Sequence, residues 1–130
     1  MATEGTVRSN AFPREITKVD SAIQVFQQSC PMLVPLVEAG QQDSEQADEL
    51  IRTYVTPLLE KNIDTLVLGC THYGILEEKI RDVAGKNTHI ISDRDVMPGS
   101  LASYLERHPE LEKHITKDGT MRFYCTGDKR

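Results

Sequence analysis

The segment from Asp64 to Tyr73 constrains the fold of this chain more than any other feature. It reads Asp-Thr-Leu-Val-Leu-Gly-Cys-Thr-His-Tyr, so a continuous apolar run at 65–68 ends on Gly69 and is followed at once by Cys70. Such runs are typical of strands that are covered on both faces, as in parallel sheets. A helical pattern follows the segment. Because ligand sites of open α/β sheets lie at the carboxyl ends of strands, Cys70 stands where such a fold places its chemistry.

Residues 43–61 show the clearest helical pattern, since apolar side chains recur there at three- and four-residue steps. Asp43 and Gln46 have the spacing of a capping box, and Pro57 predicts a kink or restart in the last turn. The other predicted elements include strands at 22–27, 89–91 and 121–125. A short helix or loop is predicted at 7–18, and an apolar piece of undefined type at 33–37. Two further helices are predicted, one at 74–84 that ends at Gly85, and one at 97–107 with Pro98 in its first turn and Pro109 after its end.

This alternation of strands and helices predicts an α/β fold with a mainly parallel sheet and helices on both faces. The length of 130 residues fits one ordinary domain. A chain that opens on a turn-like segment and closes on a strand also has the pattern of a piece of a larger fold.

Composition excludes several classes of function. The net charge is −5 and basic residues form no cluster, which argues against a nucleic-acid partner. Since the sequence contains no apolar run of about 18 residues and no signal peptide, we expect a cytoplasmic protein without a membrane partner. The three cysteines are odd in number and contain no Cys-x-x-Cys pair, so free thiols are expected rather than a disulfide framework or a zinc ribbon.

Cys70 is the strongest candidate for chemistry, because a helix N-terminus after the strand presents free N–H groups and a partial positive charge that favour a thiolate. The alternative is a buried structural cysteine. His72 could transfer a proton or lie exposed in the first helical turn, and Thr71 could bind a ligand or only cap the helix. A metal site lacks a second ligand pair. A phosphatase loop is excluded because the next arginine is Arg81.

Other polar residues allow two interpretations each. Thr3 and Thr6 could hold a carboxylate with their hydroxyls, or could belong to a frayed terminus. Glu38 is either a functional group or an ordinary loop carboxylate. Cys30 and Cys125 are interpreted as structural, because neither has a neighbouring histidine or helix start. Asp93, Arg94 and Asp95 are interpreted as a cluster at a helix start.

Five segments resemble the carboxyl-terminal half of the glutamate racemases and follow that family's order. They are residues 2–9 (Ala-Thr-Glu-Gly-Thr-Val-Arg-Ser), 25–31 (Val-Phe-Gln-Gln-Ser-Cys-Pro), 33–38 (Leu-Val-Pro-Leu-Val-Glu), 63–73 and 122–128 (Arg-Phe-Tyr-Cys-Thr-Gly-Asp). The run Gly-Cys-Thr-His-Tyr is the most specific, since the related aspartate and hydantoin racemases typically have Glu after Cys-Thr. His72 therefore favours the glutamate family.

The resemblance implies a racemase that needs no cofactor and no metal. One thiolate removes the α-proton of glutamate, and a second thiol on the opposite face returns a proton. The implied site residues are Cys70 and His72 as catalytic groups, Thr3, Thr6 and Thr71 as substrate-binding groups, and Glu38 as a supporting group.

The resemblance also implies a partial racemase fold, a three-layer sandwich whose mainly parallel sheet is flanked by helices. Residues 1–92 would form most of the second α/β lobe, and residues 93–130 an incomplete segment that crosses back to the first lobe. The family's first cysteine motif lies in an amino-terminal half that this chain does not match. We therefore expect the parent to supply D-glutamate for peptidoglycan, and the chain alone to be inactive as a racemase.

Two other functions stay open at this point. One is a related single-cysteine racemase or decarboxylase of the same superfamily, and the other is a non-catalytic domain that binds an amino acid or a partner protein. The partial racemase fold leaves exposed strand edges and apolar helix faces, which tend to pair with another chain. A homodimer is therefore expected, with glutamate as the small-molecule partner.

Overall fold

The sheet in this computed structural model, which describes residues 1–124, 126 and 127, is small and parallel. β1 (Thr65–Val67) pairs with β2 (His89–Ile91), with Leu66 opposite Ile90. Two isolated parallel bridges extend the sheet, because Ala2 pairs with both Gly69 and Ser29. The predicted α/β fold with a parallel sheet is therefore confirmed.

Helices make up most of the remaining regular structure. The α-helices are α1 (Glu4–Arg8), α2 (Ala11–Val19), α3 (Leu33–Glu38), α4 (Glu45–Leu59), α5 (Glu77–Ala84), α6 (Asp93–Arg107) and α7 (Pro109–Glu112), and a 3-10 helix (Thr71–Leu76) precedes α5. The chain divides into two compact units, Met1–Met97 and Pro98–Arg130. The first unit contains the sheet. In the described part of the second unit, the helical residues of α6 and α7 include no buried side chain.

One face of the sheet is fully buried and the other only partly. Side chains alternate along a strand, so Leu66 and Ile90 enter the core while Val67 and Ile91 lie on the opposite face and are half-buried. The core side of the sheet packs with α3, α4, α5 and the 3-10 helix, through a cluster that includes Leu33, Ile51, Val55, Tyr73, Leu76 and Ile80. On the opposite face, the ring of Phe12 in α2 lies against Gly69.

The helix predicted at 43–61 is confirmed as α4, but its predicted cap is wrong. The helix begins after Ser44, whose hydroxyl oxygen accepts a hydrogen bond from the Ala47 backbone N–H at 3.2 Å. A serine at the N-cap satisfies a donor that the first turn leaves unpaired, so Asp43 stays outside the helix. The helix also continues through Pro57 to Leu59 without the predicted restart.

Two predictions in the amino-terminal third require correction. The predicted strand at 22–27 is wrong, because residues 23–28 are irregular and only Ser29 joins the sheet. The apolar piece at 33–37 is helical and forms most of α3, which buries Leu33 and Leu36. The ambiguous stretch at 7–18 is helical over most of its length, in α1 and α2.

The carboxyl-terminal third differs most from its prediction. The helix expected from Met97 begins at Asp93, so Pro98 lies inside it rather than in its first turn. Pro109 follows the end of α6, as predicted, but it also opens α7. The predicted strand at 121–125 is wrong for residues 121–124, which are irregular and exposed, and Cys125 lies outside the described residues.

Gly69 is a position where an added methyl group is expected to destabilise the protein. An ideal Cβ there would lie 2.7 Å from Cε2 of Phe12 and 3.2 Å from the Cβ of Ala2. Gly69→Ala should therefore lower the free energy of unfolding by about 1–3 kcal/mol, the usual cost of overpacking. Urea unfolding of this variant, with Gly99→Ala as control because nothing lies within 4 Å of a Cβ at that helical position, measures the effect. Equal losses in the two variants would contradict the steric explanation.

Candidate active site

Four parallel segments of the first unit end at the same edge of the sheet. Because β1, β2 and the bridged segments at Ala2 and Ser29 run in one direction, the residues that follow them share this edge. Those residues are Cys70 after β1, Ser92 after β2, Thr3 after Ala2 and Cys30 after Ser29. The edge therefore collects two thiols and two hydroxyl groups from segments that are distant in sequence.

Cys70 stands between β1 and the 3-10 helix in an extended conformation (φ −153°, ψ 136°) and is half-buried. Its Sγ lies 3.8 Å from Nδ1 of His72. Thr71, the first residue of the 3-10 helix, is exposed. The turn from strand to helix thus brings the thiol and the imidazole together, two residues apart in sequence.

The second ring nitrogen of His72 contacts a carboxylate. Nε2 of His72 lies 2.7 Å from Oε1 of Glu38, the last residue of α3. When Nε2 carries the proton and donates a hydrogen bond to Glu38, Nδ1 has a lone pair that can accept a proton from the thiol. The carboxylate thereby selects the tautomer that can serve Cys70.

Tyr73 anchors the backbone that carries this group, and its role was not predicted. Its side chain is fully buried, and its hydroxyl donates a hydrogen bond to the backbone carbonyl of Cys30 at 3.2 Å. This contact joins the 3-10 helix to the segment that leads into α3, which carries Glu38. The sequence shows only that an aromatic residue directly follows His72. It does not indicate that Tyr73 hydrogen-bonds to Cys30, which lies 43 residues earlier.

Thr3 and Thr6 form a pair of hydroxyl groups at the start of α1. Their Oγ1 atoms lie 2.9 Å apart, and Thr3 also accepts a hydrogen bond from the Thr6 backbone N–H at 3.4 Å. Ala2 pairs in parallel with Gly69, so Thr3 and Cys70 occupy the next positions of two adjacent segments. The structure therefore places Thr3 beside the Cys70 turn, and its substrate-binding role stays a prediction.

The acidic and basic cluster after β2 does more than start a helix. Asp95 accepts hydrogen bonds from the Ser92 backbone N–H and hydroxyl at 3.1 and 3.0 Å, and these hydrogen bonds lower the pKa of its carboxyl group. Arg94 donates from Nη1 to the carbonyl oxygen of Gly74 at 3.0 Å, which ties the start of α6 to the 3-10 helix. The position of Arg94, three residues after a strand of a parallel sheet, was the signal that could have placed it at this edge.

Cys30 has the environment of a structural cysteine, as predicted. Its side chain is fully buried and donates weakly to the Gln28 carbonyl at 3.6 Å. Burial raises the pKa of the Cys30 thiol to about 12, because the charged thiolate loses its hydration. At neutral pH this thiol stays protonated, unlike a nucleophile or a catalytic base.

The described residues contain neither a metal-binding cluster nor a membrane-spanning helix. No group of three or more His, Cys, Asp and Glu side chains is arranged to hold a metal ion in the part of the chain that the structure describes. Over the same residues, no helix combines the length and the apolar character needed to span a membrane.

Two curated relatives of the chain are both named glutamate racemase. A glutamate racemase from Syntrophus aciditrophicus is 35% identical over 99% of this chain and 51% of its own length. Another from Herpetosiphon aurantiacus is 38% identical over 98% of this chain and 50% of its own length. This chain thus spans about half the length of these relatives. No protein-family model matches the chain.

Solved structures give the same result for the fold. The glutamate racemase isoform RacE1 from Bacillus anthracis superposes with a TM-score of 0.76 and 32% identity, covering 82% of this chain and 40% of that one. The racemase from Francisella tularensis, solved in complex with D-glutamate, gives a TM-score of 0.72 and 29% identity, covering 80% of this chain and 39% of that one.

The fold is therefore similar to part of the fold of the glutamate racemases, which are amino-acid racemases and so belong to the isomerases. More narrowly, the chain is a relative of the glutamate racemases and corresponds to part of them over nearly its whole length, consistent with the carboxyl-terminal portion that the sequence resembles.

Proposed function

We propose that this chain supplies one half of a glutamate racemase active site, with Cys70 as the acid/base group for one face of the substrate. The observation that carries the proposal is the contact series Glu38–His72–Cys70, in which carboxylate, imidazole and thiol follow one another at 2.7 and 3.8 Å. The similarity to glutamate racemases along nearly the whole chain supports glutamate as the substrate.

In the proposed mechanism, His72 Nδ1 accepts the proton of the Cys70 thiol, and Glu38 stabilises the imidazolium that results. The thiolate then removes the α-proton of glutamate, so that a C–H bond breaks, an S–H bond forms and the electron pair is delocalised into the substrate carboxylate. A second thiol returns a proton to the opposite face. That thiol would come from the part of the relatives that this chain does not match.

Three hydroxyl groups complete the proposed site. Thr3 and Thr6 already lie within hydrogen-bonding distance of one another, and Thr71 is the exposed residue between Cys70 and His72. We propose that they bind the polar groups of glutamate. The parent enzyme would act in the cytoplasm and supply D-glutamate for peptidoglycan.

Self-association is a further part of the proposal. The first unit exposes large apolar side chains, among them Val19, Ile23 and Phe26, and exposed apolar groups favour association. We expect a homodimer of the chain, which sedimentation at several concentrations would measure. A monomer at all concentrations would contradict this expectation.

The isolated chain is expected to exchange the α-proton of glutamate without racemising it. One thiol can remove and return a proton on its own face, but it cannot reach the other face. In deuterated water, proton NMR should show loss of the α-proton signal from one enantiomer, while circular dichroism stays constant. Cys70→Ser should abolish the exchange. Racemisation by the chain alone would contradict the single-base role, and exchange of aspartate but not glutamate would indicate a related racemase.

A further inference from the structure

The 3-10 helix that carries His72 is held by a charged side chain from another element. This helix has six residues, Thr71–Leu76, which is long for a conformation whose hydrogen bonds have poorer geometry than those of an α-helix. Its position therefore depends on contacts with its surroundings. Nη1 of Arg94 donates a hydrogen bond to the carbonyl oxygen of Gly74, a buried residue of this helix, at 3.0 Å. Because the donor is charged, this hydrogen bond is stronger than one between neutral groups.

The aliphatic part of Arg94 also lies close against Gly74. An ideal Cβ at Gly74 would lie 2.9 Å from Cδ and 3.3 Å from Cγ of Arg94. The first of these distances is shorter than real Cβ contacts, so the side chain can cross the backbone in this way only at a glycine. Steric fit and hydrogen bonding therefore act at the same place.

The start of α6 is itself fixed, which gives Arg94 a defined position. Ser92 directly follows β2 and is 2% exposed, and Asp95 accepts hydrogen bonds from its backbone N–H and hydroxyl at 3.1 and 3.0 Å. β2 pairs in turn with β1, the strand that leads to Cys70. Sheet, start of α6 and 3-10 helix thus form a closed series of contacts within the first unit.

We infer that Arg94 is a positioning residue of the proposed site, which holds the 3-10 helix where Nδ1 of His72 reaches Sγ of Cys70. His72 lies two residues before Gly74 on the same short helix. The imidazole and the thiol are 3.8 Å apart, and a displacement of about 1 Å is enough to reduce the rate of a positioned reaction. Arg94 acts in this role through the backbone of Gly74 and not on the reacting atoms. The inference rests on the proposed function for the role of Cys70, but the positioning can be measured without glutamate.

The rate at which iodoacetamide alkylates Cys70 in the full chain is the measurement, because the thiolate is the nucleophile and His72 takes up the thiol proton in the proposed mechanism. Peptide mass spectrometry reports the modification of Cys70 separately from that of the other cysteines. Arg94→Met removes the charged donor and should slow alkylation at pH 7 by about 10-fold, the factor that corresponds to one hydrogen bond with a charged group. Exchange of the glutamate α-proton should slow in parallel.

Gly74→Ala tests the same contact from its other side. The added methyl group forces Cδ of Arg94 to move but leaves the charge of the guanidinium in place, and alkylation of Cys70 should again slow. Arg14→Met is the matched control. It removes the same charge from α2, where Arg14 pairs with the adjacent Glu15 at 3.1 Å, and it should be alkylated at the native rate.

Two double variants separate positioning from other effects. Arg94→Met should add nothing to Gly74→Ala, because both changes break one contact. It should also add nothing to His72→Asn, because the group that is positioned is then absent. A further loss in the His72→Asn chain would show that the charge of Arg94 acts directly on the thiol, and the inference would be wrong.

Cys30 reports folding in the same samples, since its side chain is fully buried and is alkylated only when the core opens. If Arg94→Met unfolds the chain, Gly74→Ala is decisive. Native alkylation of Cys70 in the folded variants, even with reduced stability, would give Arg94 a purely structural role and overturn the inference. If alkylation slows as expected but even the native chain fails to exchange the glutamate α-proton, the proposed function is wrong and the positioning role of Arg94 stands.

Discussion

Replacement of His72 by asparagine is expected to slow α-proton exchange from glutamate by about 10²–10⁴-fold, the usual contribution of general acid–base catalysis. Asparagine places an amide near the position of Nδ1, which lies 3.8 Å from the Cys70 Sγ in the native chain. The amide can still form a hydrogen bond, but it cannot take up the thiol proton. The loss would therefore report proton transfer rather than a lost contact.

His89→Asn is the matched control for this variant. His89 is an exposed histidine at the first position of β2, whereas Cys70 follows the carboxyl end of β1, so the two lie at opposite edges of the sheet. The control should exchange glutamate at the native rate. Alkylation of the protein by iodoacetamide, followed by mass spectrometry, verifies that the Cys70 thiol is still present in both variants. Equal exchange rates for His72→Asn and the native chain would remove His72 from the mechanism.

Glu38→Gln separates the charge of Glu38 from its hydrogen bond. A glutamine can still accept from Nε2 of His72, where the native distance is 2.7 Å, but it carries no charge to stabilise an imidazolium. Exchange should therefore slow while the fold is retained, because a polar contact between solvent-accessible side chains contributes little stability. Native exchange in this variant would show that Glu38 only occupies the end of α3.

The elements that the sequence predicts well are those determined by their own side chains. The stripe of α4 includes the buried positions Ala47, Ile51 and Val55, and its periodicity is visible without knowledge of the partner surface. β1 and β2 are likewise predicted from the apolar residues that they themselves contain. The start of α6 was predicted four residues too late, although the sequence does encode it locally. Ser92 and Asp95 have the spacing with which side chains cap the first turn of a helix.

The absence of a strand at 22–27 could not be recognised from the sequence in the same way. Alternating β-branched and aromatic residues fit a strand, but a strand exists only when another segment supplies hydrogen-bonding partners. Among the described residues, the stretch 22–27 finds none, and Ser29 just after it pairs with Ala2. The local pattern was therefore ambiguous until the positions of the other segments were known.

The residues of the candidate site also differ in whether the local sequence could predict their position. Cys70 and His72 are neighbours in sequence, and their position at a strand end follows from the local pattern. Glu38 lies 34 residues before His72, and the supporting role proposed for it follows from the resemblance rather than from any periodicity. The contact between Phe12 and Gly69 and the hydrogen bond from Arg94 to Gly74 are likewise products of packing. Such pairs depend on how α2, α3 and α6 meet the sheet.

Alkaline pH is expected to destabilise the first unit through Cys30. Burial raises the pKa of this thiol from 9.0 to about 12 in the folded chain. Between these values the unfolded chain has lost the proton and the folded chain still holds it, so unfolding releases a proton. The free energy of unfolding should therefore be fully retained below pH 9 and fall by about 1.4 kcal/mol per pH unit above it. The total loss approaches about 4 kcal/mol at pH 12.

Tyr73 should add to this loss at higher pH. Burial also raises the pKa of its phenol above the usual value of 10.0, and its hydroxyl donates to the Cys30 carbonyl. The folded chain therefore keeps the phenolic proton after the unfolded chain has lost it. The slope of stability against pH should steepen above about pH 10, the ordinary pKa of tyrosine.

Urea unfolding at half-unit steps from pH 7 to 11 measures both contributions. Cys30→Ser replaces the thiol with a hydroxyl that does not ionise in this range, so the decline between pH 9 and 10 should flatten even if the variant is less stable at pH 7. Tyr73→Phe should keep that decline and lose the steepening above pH 10. Each variant removes a single buried group from the native chain, so the differences between curves isolate the two buried groups. If the slope of stability against pH is the same in Cys30→Ser as in the native chain, water must reach this thiol in the folded protein. The core around Tyr73, which anchors the 3-10 helix through its hydrogen bond to Cys30, would then be open to solvent.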